Sequence, residues 1–280
     1  EVVTKNIAMA NVCCVPLQYL FVRGQGIKLF SLCMKYYRKF GFLFPVVKKP
    51  EEDQEPYEGA IVFDPIPTVS YQAYAVKDYA SLYPSSIIHK NMSLETKVVD
   101  EEYDNLPGVT YFNAKFRESD GRIEYRRFAK LEGEFGVIPR ILQILLSERK
   151  KTKNLMKVEK DPFKNKILDA QQLALKITAN SLYGQLGAST SPIRERDIAA
   201  CTTSTGREML ILAKKYDEEI LPWIINGLTF AYQNNDTKTI EKIYQQELKG
   251  YGDGTDPKIV KLKEQIKKYC EDTKDYVFNP

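Results

Sequence analysis

The chain has 280 residues, 43% of them hydrophobic and 28% charged, with a net charge of +4 at pH 7. Such a length and composition belong to an ordinary globular protein with one large or two modest domains and ample capacity for a core. The small net charge does not mark a nucleic-acid binder, the apolar runs are too short to span a membrane, and nothing at the start reads as a signal peptide.

Residues 1 to about 47 read as mostly helical, with apolar Ile27, Leu29, Phe30, Leu32 and Cys33 around Gly24-Gln25-Gly26. The polar stretch from Lys48 to Pro56 reads as a linker. β-like segments follow at Ala60-Ile61-Val62-Phe63 and Tyr74-Ala75-Val76. Val109-Thr110-Tyr111-Phe112 and Ile123-Glu124-Tyr125 flank Ser119-Asp120-Gly121 and predict a hairpin. Helical spacing of Ile141, Leu142, Leu145 and Leu146 predicts a helix from Pro139 to Glu159, ended by Asp161-Pro162. A second helix is expected from about Lys164 to Tyr183 with Gly184 as its cap, completing a helical hairpin. A third is expected from Ser191-Pro192, with Ile198, Thr202, Thr205, Met209, Leu212 and Tyr216 on one face. Beyond Tyr216 the pattern is weaker, with helices expected near 237–249 and 257–271.

Five cysteines, Cys13, Cys14, Cys33, Cys201 and Cys270, form no C-x-x-C pair, and with the single His89 they assemble no obvious zinc site. They fit buried thiols in a reducing compartment. Between Arg149 and Lys166, eight Lys or Arg stand against two acids, a local stripe that could neutralise phosphates or simply form a solvated helix face. Arg149 and Lys153, four residues apart, differ by about 40° in direction and lie about 6 Å apart along a helix axis. Two such cations can clamp a polyphosphate. Lys176, Asn180 and Tyr183 share a stripe on the second helix, with Gly184 beside it permitting a close approach. The run Lys77-Asp78-Tyr79-Ala80-Ser81-Leu82-Tyr83-Pro84-Ser85 puts a carboxylate at the end of an apolar stretch, followed by a turn carrying a hydroxyl, an aromatic ring and a proline.

Taken together, that run and Lys176-Ile177-Thr178-Ala179-Asn180-Ser181-Leu182-Tyr183-Gly184 resemble the core of the B-family, α-like DNA polymerases, specifically the delta type. Tyr57-Glu58-Gly59-Ala60 resembles the family's Y-x-G-G/A element, and Tyr19 to Gln25 resembles the segment after the exonuclease domain. Thr202-Thr203-Ser204-Thr205-Gly206-Arg207 resembles the T-x-x-G-R helix. Ser86 is similar to the residue found in polymerases of large double-stranded DNA viruses. The resemblance implies an α+β fold: a palm with an antiparallel sheet and helices, plus a two-helix fingers hairpin, with thumb and exonuclease domains absent. It assigns residues 1–56 to the exonuclease side and linker, 57–135 to the first part of the palm, and 136–186 to the fingers. Residues 187–216 become a palm helix and 217–280 an insertion.

The same resemblance implies template-directed addition of deoxynucleoside triphosphates to a primer 3′-hydroxyl, with two Mg²⁺ ions. Asp78 would be catalytic and metal-binding, with the Tyr79 carbonyl as a further metal ligand. Ser81 and Leu82 would offer amides to the triphosphate, and Tyr83 would exclude a 2′-hydroxyl. Arg149, Lys153, Lys176 and Asn180 would hold the incoming nucleotide; Tyr183 and Gly184 would line the nascent base pair, and Tyr57 and Gly59 the template path. Implied partners are primer–template DNA, nucleotides and a processivity clamp, with no membrane, in the nucleus or at a viral replication site. A second aspartate is expected from a Y-G-D-T-D-S hairpin. Tyr251-Gly252-Asp253-Gly254-Thr255-Asp256 comes near it, but an extra Gly, the following Pro257 and helix-like flanks make it read as a turn between helices. The chain therefore reads as an internal piece of a polymerase, cut before that hairpin and inactive alone. The alternative is a catalytically inactive, polymerase-derived nucleic-acid-binding protein. An RNA-copying enzyme fits poorly with Tyr83 at the sugar-selecting position. Asp78 is expected at the edge of one palm sheet, facing a cleft on which Arg149, Lys153, Lys176 and Asn180 converge.

Overall fold

The structure, a computed structural model, describes residues 2–46, 57–65, 67–69, 71, 76–234, 236–247 and 264. The chain forms two compact units, Glu1–Arg207 and Glu208–Pro280. The first unit mixes helices with one small antiparallel sheet.

Three helices open the first unit: α1 (Val2–Cys13), α2 (Tyr19–Val22) and α3 (Gln25–Phe40). Leu29, Leu32, Cys33 and Tyr37 recur at helical spacing and form the buried face of α3. Gly41 ends that helix with φ 78°, and the amide of Phe42 donates back to the Tyr37 carbonyl at 2.9 Å. The expected linker Lys48–Pro56 lies outside the described residues, as do Tyr74 and Ala75. Ala60–Phe63 form no strand, and Asp78 itself lies in no strand, so the described residues show no sheet edged by Asp78. A strand persists only when its backbone groups find a neighbouring strand, and the described residues offer none there.

After α4 (Leu82–His89), the sheet has the order β1-β3-β2, with β1 at Lys97–Val98, β2 at Val109–Arg117 and β3 at Ile123–Leu131. β2 and β3 pair from Val109↔Leu131 to Arg117↔Ile123, around the predicted turn, where Gly121 has φ 89°. Ala114, Phe116 and Phe128 face the core while their neighbours face outward, the period-2 pattern of a half-buried sheet.

The helix α5 (Val137–Val158) has no cap from its own Gly136. Its orphan amides are met instead by the loop after α4: Asn91 Oδ1 accepts from Gly136 at 2.8 Å, Ser93 Oγ accepts from Ile138 at 3.1 Å, and Glu95 accepts from Val137. Tyr37 donates to Glu95 as well, tying α3 to the same point. α6 (Pro162–Gly187) starts on Asp161, whose side chain accepts from Phe163 at 2.8 Å, with Pro162 in the first turn. It runs past the expected Gly184 cap to Gly187, because Gly184 is held in regular helix and its carbonyl accepts from Ala188.

The third expected helix starts at Arg196, not Ser191, since Ser191 to Arg194 form a turn first. This helix, α7 (Arg196–Lys215), is buried all round from Ile198 to Gly206 and not along one face. Its hydroxyls satisfy themselves on the preceding turn: Thr202 to Ile198, Thr203 to Ala199 and Thr205 to Cys201, at 2.7, 3.0 and 2.8 Å. Small side chains with internally paired hydroxyls let neighbouring elements close on the helix from every side. Cys13, Cys33 and Cys201 are buried as expected, but Cys14 is exposed, with Lys35 donating to its sulfur at 3.1 Å. Burial pushes the Cys33 and Cys201 thiols up to about 12, which leaves them protonated and inert at neutral pH.

The second unit carries a five-residue π-helical stretch at Tyr216–Ile220, then α8 (Leu221–Gln233) and α9 (Thr237–Glu247). α8 was not legible in the sequence; Ile224 and Leu228 on it pack with Ile243 of α9 in a small core. Of the helix expected at 257–271 only Glu264 is described, and it is helical; the Tyr251–Asp256 turn lies outside the described residues.

Candidate active site

Three tyrosines from distant parts of the first unit meet between α4, α6 and α7. The Tyr83 and Tyr183 rings lie 4.4 Å apart at 34°, and Tyr183 Oη is 2.5 Å from Thr203 Oγ1. The single hydroxyl proton of Thr203 goes to the Ala199 carbonyl, so Tyr183 donates to Thr203. The chain of hydroxyls runs from Tyr183 to Thr203 to the Ala199 carbonyl. Burial first, then the neighbouring Tyr183, pushes the Tyr57 phenol up to about 12. Burial raises Tyr83 too.

Two glycines make room for this cluster. A Cβ on Gly206 would lie 2.7 Å from the Tyr83 ring, and one on Gly187 would lie 3.0 Å from the Tyr57 hydroxyl. Gly184, by contrast, has open space on its side.

Charged groups fix the position of Tyr57. It bridges to Glu118 at the end of β2, and the amide of Glu58 donates to the Arg117 carbonyl at 3.0 Å. Arg196 makes a two-pronged pair with Glu118 and lies over the Tyr57 ring at 5.6 Å. Arg207 donates to the carbonyls of Glu58 and Gly59 and pairs with the Glu58 carboxylate at 3.0 Å. Next to Arg196 in the chain, Asp197 accepts from Arg126 at 2.6 Å and from Lys97 at 3.4 Å. Burial alone would raise the Asp197 carboxyl, but these cations hold it below the usual carboxylate range.

The cation stripe stands on the α5–α6 hairpin. Arg149 donates to Gln172 Oε1 at 3.3 Å across the hairpin, one helical turn from Lys176. Lys153, Lys176, Asn180 and Gly184 are exposed, and Arg149 is half-buried. Because Tyr183 continues the line of Lys176 and Asn180, the stripe runs down α6 into the tyrosine stack. Asp78 is exposed, and Tyr79 and Leu82 are half-buried. Ser81 starts α4 in the left-handed region, with φ 58° and ψ 56° and no side-chain cap, a conformation rare for a residue other than glycine. No group of three or more potential metal-ligating side chains occurs among the described residues.

Sequence reasoning found the three tyrosines and the stripe but assigned no role to Glu118, Arg196, Thr203 or Gly206. For Thr203, Gly206 and Arg207 the signal lay inside the T-x-x-G-R-like element. For Glu118 and Arg196 only the fold brings the pair together.

A solved family B DNA polymerase from the archaeon Pyrobaculum calidifontis superposes with a TM-score of 0.57 over 77% of this chain and 27% of that one, at 25% identity. The model of DNA polymerase family B matches residues 15–268, and the chain belongs to that family. The DNA polymerase of Pyramimonas orientalis virus is 41% identical over 274 residues, covering 78% of this chain and 23% of that protein. The DNA polymerase delta catalytic subunit of Dictyostelium discoideum is 42% identical over 211 residues, covering 75% and 18%. The chain thus spans about a quarter or less of the relatives it matches.

Proposed function

We propose that this chain is the nucleotide-seating part of a template-directed DNA polymerase that extends a primer 3′-hydroxyl with deoxynucleoside triphosphates. The observation that carries the reading is the continuity of the α6 stripe with the Tyr183–Tyr83 stack: phosphate-binding groups lead directly to a sugar- and base-sized aromatic surface. In this reading residues 57–135 and 187–216 are palm, 136–186 are fingers, 1–56 are the exonuclease side, and 217–280 are an insertion.

Arg149, Lys153, Lys176 and Asn180 bind the triphosphate and offset charge on the phosphoryl oxygens. The uncapped first turn of α4 presents the Ser81 and Leu82 amides to the same phosphates. Tyr83, backed by Gly206 and stacked on Tyr183, cannot retreat, so it excludes a 2′-hydroxyl by contact. Tyr183 and Gly184 line the nascent base pair; Tyr57 and Gly59, clamped by Arg196 and Arg207, line the template path.

Asp78 and the Tyr79 carbonyl are hard oxygen donors, which fits magnesium held by one or two carboxylates together with substrate phosphates. They make half a site, and a further carboxylate must complete it. When bound, two Mg²⁺ ions would lower the pKa of the primer hydroxyl and steady the leaving pyrophosphate. Primer–template DNA, nucleotides and a processivity clamp are the partners of this reading, and the nucleus or a viral replication site its location. No described helix is long and apolar enough to cross a membrane.

Primer extension by the polymerase carrying this chain tests the reading. Asp78→Asn is expected to lower the rate about 10³-fold with DNA binding intact. Unchanged extension would refute it, and absent extension in the unaltered enzyme would favour a nucleic-acid-binding protein without synthesis.

A further inference from the structure

β2 stands at the edge of the sheet for all nine of its residues, because β3 lies between it and β1. In an antiparallel ladder, alternate residues turn their backbone groups toward the neighbouring strand and the others turn theirs away. In β2 the odd-numbered residues face outward: the Val109 amide donates to Leu106, the Asn113 carbonyl accepts from Lys90 Nζ at 2.9 Å, and the Arg117 carbonyl accepts from the Glu58 amide. Among the described residues, the amides of Tyr111, Asn113, Lys115 and Arg117 and the carbonyls of Tyr111 and Lys115 meet no backbone partner. The same edge is cationic. Lys115 and Arg117 are exposed and form no ion pair among the described residues, and Lys90 adds a third cation. Glu58 and Glu118, at the end of the strand, are already held by Arg207 and Arg196. A row of outward donors and acceptors is a template for another strand. Edge cations repel a basic strand, but they attract an acidic one.

We propose that the β2 edge is a docking site for an extended acidic segment of a partner protein, which joins the sheet antiparallel as a fourth strand. Its backbone pairs with the outward groups from Tyr111 to Arg117, and acidic side chains at alternate positions stand directly opposite Lys115 and Arg117. The site uses none of the groups assigned to the nucleotide, the metal or the template path, so the proposal stands independently of the polymerase reading.

The test is a fluorescence-anisotropy titration of the 280-residue chain with three labelled, end-blocked peptides: four Glu-Val repeats, four Lys-Val repeats, and the Glu-Val peptide N-methylated at every Glu. The Glu-Val peptide is expected to bind saturably, about tenfold or more tighter than the Lys-Val peptide. N-methylation keeps every charge but removes the donors that face β2, and should weaken binding about tenfold or more. The double substitution Lys115→Glu with Arg117→Glu, at two exposed positions whose change leaves the core untouched, should weaken the Glu-Val peptide about tenfold or more. Hydrogen exchange across Val109–Arg117 should slow when the peptide is bound. Absence of binding, equal binding of the N-methylated peptide, equal binding by the double variant, or unchanged exchange across β2 would each overturn the site. An oligothymidylate that binds more tightly than the Glu-Val peptide, with the same loss in the double variant, would assign the edge to nucleic acid and overturn it as well.

Discussion

The tyrosine cluster and the Asp78 segment stand only five residues apart in sequence, between Tyr83 and Asp78, yet they are built in opposite ways. Tyr83 is stacked on Tyr183, backed by Gly206 and linked through Tyr183 to Thr203. Asp78 is exposed and lies in no strand. The aromatic groups are thus fixed by packing within the first unit, whereas among the described residues no ladder holds Asp78.

If that contrast holds, substitutions should cost stability in proportion to how far each residue is built in, and chemical denaturation reads the order. Arg196→Met leaves Glu118 unpaired where both side chains are about nine-tenths buried, and should cost about 3 kcal/mol. Asp197→Asn should cost about 2 kcal/mol at pH 7, since Arg126 and Lys97 lose the half-buried negative charge between them and keep only Glu124 and Glu195. Its pH dependence sharpens the point. The folded-state pKa of Asp197 lies below its unfolded value of about 3.9. Its contribution is therefore present above about pH 4 and lost as pH falls through the lowered folded value. Denaturation curves from pH 7 to pH 2 should show that loss in the unaltered chain and a flatter profile in Asp197→Asn.

Gly206→Ala forces a methyl against the Tyr83 ring and should cost about 1.5 kcal/mol. Tyr183→Phe removes the hydroxyl that meets Thr203 and should cost about 1 kcal/mol. Asp78→Asn should change stability by no more than about 0.5 kcal/mol. A large loss there would break the comparison, for it would mean that Asp78 is already held in place.

Much of this was legible in the sequence. Alternation around Ser119-Asp120-Gly121 predicted the hairpin, Asp161-Pro162 marked the end of α5, which stops at Val158, and α6, expected from about Lys164, starts at Pro162. The tyrosines and the cation stripe were visible as motifs because helical spacing alone aligns Lys176, Asn180 and Tyr183. What failed was non-local. Ala60–Phe63 has the composition of a strand but no ladder, since composition cannot supply a neighbour. The Glu118–Arg196 pair joins residues 78 positions apart, and only the closed fold makes it a pair. The all-round burial of α7 was hidden because its threonines look polar until each hydroxyl is seen to return to its own backbone.

The most direct test is an equilibrium titration of the chain with dATP and ATP in Mg²⁺, repeated for Lys176→Met and Tyr83→Ala. A nucleotide seat formed by the α6 stripe and the tyrosine stack predicts dATP binding about tenfold tighter than ATP. It also predicts an approximately tenfold loss for dATP in Lys176→Met and no sugar preference in Tyr83→Ala. Equal affinity for dATP and ATP in the unaltered chain, or unchanged dATP binding in Lys176→Met, would contradict it.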